Sequence, residues 1–366
     1  MLADKNRIYI PMDRLGVESV QSNTMGTIKF INSILDSTKV QWSLKPIKLY
    51  TDRFPEGHFF NSGGFLVDYN SDIINKINEI NIVFDIVKDF NIGKKLNTTK
   101  IALYNGRGTA DFCIAPLVEV LDLAGFKYKH LSDSDIRKGL LQEFDIFLVP
   151  GGSDAGESYY WGLGDKGYNN IKNFLHNNGQ YFGLCAGAYL PLKSLSKENK
   201  YWLELVDATD DSDLDYWRTG SGFVRIKILD NTHPIVSGIC AGKINTLDVI
   251  YWEGPAMQIL SDKVKAIATF YEFIASGSPK EYPKWDLLDN TLAIKAINGW
   301  YNVLTKERFE KHLKKRASIV ETKINKNKVI LYSPHAEFGN IGITQRLKSQ
   351  SYQLITNGLF YLSINE

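Results

Sequence analysis

The sequence predicts an α/β protein with a mostly parallel sheet covered by helices on both faces. Three observations carry that expectation. From residue 98 onward, short apolar strands alternate with helical patterns. The connections between them are short and bounded by glycine. Two apolar runs, KIALYNG (100–106) and DIFLVPGG (145–152), read as buried strands of such a sheet.

In order, KIALYNG (100–106) reads as a strand ending in glycine, and FCIAPLVEVLDLAG (112–125) as an amphipathic helix stopped by Gly125. FKYKHLS (126–132) alternates like a strand, and DIFLVPGG ends in a tight turn. GYNNIKNFLHNNG (167–179) is a further helix, and QYFGLCAGAY (180–189) is a strand running into small residues. Before residue 98 the pattern is less regular. RIYIPM (7–12), VQWSLKP (40–46) and NSGGFLVDY (61–69) suggest extended segments, and Thr24 to Leu35 suggests a helix. Residues 71–90 repeat Ile and Val at helical spacing, with Ser71 or Asp72 as the expected N-cap. The polar stretch 91–100 marks the expected boundary, dividing a small N-terminal α/β accessory region (1–98) from a larger domain (99–366).

With 366 residues the chain can bury a sizeable core, and 43 basic against 41 acidic residues leave no electrostatic case for nucleic acid or an anionic membrane as partner. The three cysteines (Cys113, Cys185, Cys240) are too few for a disulfide framework and not at zinc spacing, which favours a reducing compartment. With no signal-like or membrane-spanning run, a cytoplasmic location is expected.

Ligands in such sheets bind beyond the carboxyl ends of the strands. Gly183-Leu184-Cys185-Ala186-Gly187 has the G-x-nucleophile-x-G form of a nucleophile elbow, with cysteine as the nucleophile. Its neighbours must be tiny for strand and helix to approach, and a sulfur at a helix start is favoured as thiolate. The plain alternative is a small cysteine packed in a strand-to-helix turn. Val149-Pro150-Gly151-Gly152-Ser153 ends the preceding strand, where a glycine pair can offer backbone N–H groups to an oxyanion. In Ser333-Pro334-His335-Ala336-Glu337 an imidazole at a strand end has a carboxylate two residues on to orient it. Of the other histidines, His58 and His130 lack a strand-end loop, His176 and His312 lie on exposed helical patterns, and His233 reads as turn chemistry.

This order of motifs resembles the class I glutamine amidotransferase-like superfamily, a flavodoxin-like three-layer sandwich with a Cys-His-Glu triad. PGGSDAGESYYWGLG (150–164), YFGLCAGAYLPL (181–192) and YWEGPA (251–256) are most similar to the amidotransferase-like domain at the N-terminus of biotin–protein ligases, which also occurs as stand-alone microbial proteins. The resemblance covers about residues 99–345. It implies Cys185 as nucleophile, His335 as general base, Glu337 as its orienting partner, and the N–H groups of Gly152 and Ala186 as the oxyanion site. Ala336 stands where superfamily members often carry proline. Neither a glutamine-binding set nor room for a ligase half after residue 345 is expected. Arg107, Gly151, Ser153, Asp154 and Tyr189 are the candidate substrate contacts; Arg107 sits in a Gly106-Arg107-Gly108 turn where it can meet an anionic group. The cluster Asp154, Glu157, Tyr159, Tyr160 and Trp161 can equally be a pocket rim or loop packing.

The acidic run 207–215 and the basic segment 310–328 are expected to be solvated, the latter as a helix face and turn, and no metal is expected. Residues 54–69, rich in glycine and aromatics, are a candidate lid. The expected function is a thiol hydrolase or amidotransferase-like enzyme acting without a cofactor on a C–N amide or related acyl bond. Its substrate would be a small-molecule or peptide-like amide, and the reading leaves room for a homo-oligomer. Two alternatives stay open: a binding or regulatory module that has lost turnover, and a redox-responsive protein in which Cys185 is reversibly oxidised.

Overall fold

The computed structural model describes residues 6–15, 18–88, 92–152, 156–194, 200–210, 219–239, 245–276, 302–339 and 350–364. Strand β1 (Asn6–Ile10) leads into helix α1 (Thr24–Ile34), whose first turn is capped by the Asn23 side chain accepting from Gly26 N–H at 2.7 Å. Then come β2 (Val40–Trp42), a hairpin of β3 (Ile47–Leu49) and β4 (His58–Phe60), and β5 (Phe65–Asp68).

Helix α2 is shorter than the Ile/Val spacing suggests. It spans Ser71–Glu79, and its cap is Asn70, one residue ahead of the expected position, accepting from Asp72 N–H at 2.8 Å. Asn81 turns the chain at φ 54°, and β6 (Asp85–Lys88) pairs with the open edge of β1. The apolar run thus serves two periods in succession. Its β-branched second half satisfies strand pairing that a longer helix would have left unmade. With β7 (Lys94–Lys95) these strands form an antiparallel sheet in the order β6-β1-β5-β2-β7.

Beyond residue 98 the elements are β8 (Ile101–Tyr104), α3 (Asp111–Ala124), β9 (Tyr128–Leu131), α4 (Asp133–Lys138), β10 (Ile146–Val149), α5 (Glu157–Asn177), β11 (Gln180–Leu184) and α6 (Ala186–Tyr189). Gly125 closes α3 at φ 71°, as its position predicts. Helix α5 begins ten residues earlier than the expected 167, bending at Gly164 (φ 58°). The chain continues through β12 (Ala208–Asp210), β13 (Ser221–Ile228), β14 (Thr246–Trp252), β15 (Met257–Ile259), β16 (Lys265–Ser276), β17 (Ala317–Ile324), β18 (Asn327–Tyr332) and α7 (Gln350–Ser363).

The large sheet runs β9-β8-β10-β11-β18-β17-β16-β13-β14, with β12 and β15 paired alongside. Its first five strands are parallel, as in the flavodoxin-like sandwich; the rest is an antiparallel extension. The extension overturns the reading of 310–328 as a solvated face. Ala317–Ile324 is an inner strand with six buried positions, returned to β18 by the turn at Asn325 (φ 57°). The apolar first half of the strand, which buries Ile319 and Val320, was masked by the lysines in the flanking turns. His312, expected to be exposed, is buried with Phe309 and Leu313 in the turn before β17.

The acidic run is also partly structural, because Asp210 accepts from Ala256 N–H at 2.9 Å; residues 211–218 lie outside the described residues. Helices α1, α3 and α7 fill the layer between the two sheets. Phe360 of α7 meets Trp42 and Phe65 from one side and Phe126 from the other, with ring centroids 5.3–5.8 Å apart. One apolar core runs through that layer. Among the described residues no helix is long and apolar enough to cross a membrane.

Candidate active site

The carboxyl ends of the adjacent strands β10, β11 and β18 carry Gly151, Cys185 and His335 to one rim of the sheet. Cys185 has φ 49° and ψ −110°, a left-handed conformation that a non-glycine residue adopts only where its surroundings impose it. Its N–H donates to the Tyr332 carbonyl at 2.9 Å, while the Cys185 carbonyl accepts from Ala188 N–H at 2.9 Å at the start of α6. The flanking glycines are required by close approach. A Cβ on Gly183 would lie 2.2 Å from the Gly187 carbonyl oxygen, and one on Gly187 would lie 2.2 Å from that of Val149.

His335 is held by its own backbone, its N–H donating to Ile250 C=O at 2.9 Å. Its ring stacks on Phe338 at 4.2 Å, and Nδ1 lies 2.7 Å from Glu337 Oε1. Both side chains are withdrawn from solvent, and the other Glu337 oxygen has no donor among the described residues. Burial alone would push the imidazole pKa down. The facing Cys185 sulfur, as thiolate, and the Glu337 carboxylate outweigh that and raise it to about 10. In its thiol form Cys185 donates to the Trp252 carbonyl at 3.2 Å. The Trp252 ring stacks on Phe112 at 4.8 Å, walling one side of the site with apolar surface.

Gly151 lies at the centre of this arrangement. A Cβ there would come within 2.9 Å of His335 Cε1, 3.0 Å of Cys113 Sγ and 3.2 Å of Cys185 Cβ. Gly152 pairs with Thr109 through the Ala110 N–H to Gly151 C=O bond of 3.4 Å, and a side chain on it would strike the Gly108 carbonyl. Ala186 opens α6, so its N–H is one of the donors a helix start leaves without an intrahelical acceptor.

The remaining candidates are more dispersed. Arg107 is exposed, with its guanidinium carbon 5.5 Å from the centre of the Trp161 ring and its backbone N–H donating to the Asp133 carboxylate. Tyr189 is buried behind the elbow, its hydroxyl donating to the Glu253 carbonyl at 3.1 Å. Ser153 and Asp154 lie outside the described residues. Of the aromatic cluster, Tyr159 is loop and core packing, its hydroxyl donating to Pro150 C=O at 3.0 Å, whereas Trp161 is exposed.

Residues 54–69 do not cover the site. Phe54 and Phe60 pack around Tyr9 on the outer face of the N-terminal sheet. His233 behaves as turn chemistry, accepting from Ile235 N–H at 3.2 Å, and it also meets Glu321. Sequence reasoning missed Cys113. Its signal was available: it is the third residue of a helix that begins just after a strand-end loop, at the same rim as Cys185. Among the described residues no group of His, Cys, Asp and Glu is placed to hold a metal ion.

The fold and this rim define an α/β protein whose parallel strands bring a cysteine, a histidine and a glutamate together at one edge of the sheet. Residues 99–218 match the family described as biotin-protein ligase, N terminal. No curated protein matches the chain at a significant level. Among solved structures it is similar to PurLQS from Thermotoga maritima (13% identity, 72% of this chain and 99% of that one, TM-score 0.44). It is also similar to a glutamine amidotransferase from Thermotoga maritima (10% identity, 66% and 78%, TM-score 0.38). A cytoplasmic protein from Salmonella typhimurium is a third such structure (11% identity, 73% and 100%, TM-score 0.41).

Proposed function

We propose that the chain is a cysteine-dependent, amidotransferase-like hydrolase that cleaves a C–N amide or related acyl bond in a small-molecule or peptide-like substrate. The observation that carries this reading is the imidazole of His335, which is buried, oriented by Glu337 and directed at a cysteine on a strained strand-to-helix turn. Cys185 thiolate attacks the substrate carbonyl, and the N–H groups of Gly152 and Ala186 receive the oxygen's charge. The imidazolium of His335 gives its proton to the departing amine, leaving a thioester on Cys185. The neutral ring then takes a proton from water, whose oxygen attacks the thioester and releases the acid and the thiolate. Glu337 keeps Nδ1 protonated throughout, so that Nε2 handles the transferred proton.

Iodoacetamide alkylation at pH 7, read by peptide mapping, tests the nucleophile. Cys185 is expected to react first. Release of ammonia or amine from a panel of primary and secondary amides, glutamine included, tests turnover. Alkylation of Cys185 no faster than of Cys113 and Cys240, with no amine released, would overturn the reading.

A further inference from the structure

The site holds a second thiol that the proposed hydrolysis does not use. Cys113 is 1% exposed and free, and its sulfur points at the same spot above Gly151 as Cys185 and His335. A point 3.0 Å from Cys113 Sγ and 3.2 Å from Cys185 Cβ puts those two atoms at most about 6 Å apart. Since Gly151 has no side chain, nothing from that residue stands between them. A disulfide needs Cβ atoms roughly 3.5–4.5 Å apart, so closure takes a rotation that turns the two sulfurs toward each other together with a shift of the first turn of α3 toward the elbow. We infer that Cys113 is the resolving thiol for an oxidised Cys185, and that a hydroperoxide drives the pair to a reversible Cys113–Cys185 disulfide.

The steps balance. Cys185 thiolate attacks one peroxide oxygen and the O–O bond breaks. The leaving oxygen takes the proton of the His335 imidazolium, so that the sulfur becomes a sulfenic acid and the peroxide is reduced to water or an alcohol. His335, now neutral, accepts the Cys113 thiol proton. The Cys113 sulfur attacks Cys185 Sγ, the S–S bond forms, the S–O bond breaks, and the hydroxide leaves as water with that proton.

In the resting site this cannot run early. Burial, the Cys185 thiolate and the Glu337 carboxylate all hold the Cys113 thiol pKa well above its ordinary value. Oxidation of Cys185 removes one of those charges, and it also removes the thiolate that kept His335 protonated. Oxidation of the first thiol therefore eases ionisation of the second and frees His335 to take its proton, while the burial of Cys113 is unchanged. If the hydrolase reading holds, the disulfide masks its nucleophile reversibly, but the test below reads thiols and does not depend on that activity.

The full-length protein is treated with a small excess of hydrogen peroxide and its free thiols are counted. The count is expected to fall from three to one, with a peptide crosslink between Cys113 and Cys185, and to return to three with dithiothreitol. In Cys113→Ser, Cys185 is expected to be trapped by dimedone as sulfenic acid and to pass on to sulfinic acid, which dithiothreitol does not reverse, about tenfold faster than in the wild type. Cys240→Ser leaves the pair intact, so its count should fall from two to none even if Cys113→Ser fails to fold. Irreversible oxidation of wild-type Cys185 at the rate seen in Cys113→Ser, or a crosslink to Cys240, would overturn the inference.

Discussion

Asp13 in the N-terminal region and Glu337 at the rim of the large sheet are both almost withdrawn from solvent, at 5% and 0% exposure, yet they sit in opposite electrostatic settings. Glu337 faces an imidazole 2.7 Å away whose charge it supports. Asp13 receives the Asn61 N–H at 3.0 Å, but its other oxygen has no donor and no cation faces it among the described residues. Its carboxyl pKa rises to about 6, driven by burial and only partly offset by that hydrogen bond. Close by, Asp85 is fully buried and yet answered by a two-point contact with Arg53 at 2.6 Å. Burial of a carboxylate is thus no mark of chemistry in itself. What distinguishes the rim is that its buried imidazole and carboxylate are paired with each other beside a cysteine.

The comparison breaks most sharply if the paired cluster is dismantled. Cys185→Ala and His335→Ala should each lower turnover of any amide substrate by about 10³-fold or more while leaving the circular dichroism unchanged. Glu337→Gln keeps shape but loses the charge that helps hold His335 protonated, and a loss of about 10²-fold is expected, with the alkaline limb of the pH profile moved down. In the wild type that limb should fall near pH 10, where the imidazolium that protonates the leaving amine is lost. Below that value the raised pKa of His335 also favours the fold, and this contribution disappears as pH climbs from 6.5 through about 10.

In the N-terminal sheet the sign with pH is the same, but the window lies lower and the cause is opposite, because burial there favours the uncharged form whereas the rim favours the charged one. A carboxyl pKa raised to about 6 favours the fold at low pH and costs stability as pH rises through that value. Asp13→Asn should therefore stabilise the protein at pH 8 by on the order of 2–3 kcal/mol in urea unfolding, with the gain gone below pH 4 and turnover unaffected. The smallest effect on stability is expected from Gly151→Ala, about 1–2 kcal/mol, because its methyl would push against His335, Cys113 and Cys185 together. Turnover and peroxide-driven crosslinking should both suffer from that displacement.

The alternation of strands and glycine-stopped helices from 98 to 189 was legible because each element carries its own period and its own terminator. The caps at Gly125 and the turn after β10 need no distant partner to be specified. The rim residues were legible for a related reason, since glycine on both sides of Cys185 and a carboxylate two residues after His335 are local requirements. The reading failed where one apolar run served two periods, as at 71–90, and where lysines hid an inner strand, as at 317–324.

What the linear order determined by itself is therefore the set of parts: the parallel half of the sheet, the elbow, and the histidine with its acidic partner. Only the tertiary structure decided that Cys113 joins them, that Tyr189 turns its hydroxyl away to Glu253, and that residues 54–69 cover a different sheet. The physical reason is range. Turns, caps and close-approach glycines are set by atoms a few residues apart. Which side chains share a point in space depends on strand order across a sheet, which no local pattern contains.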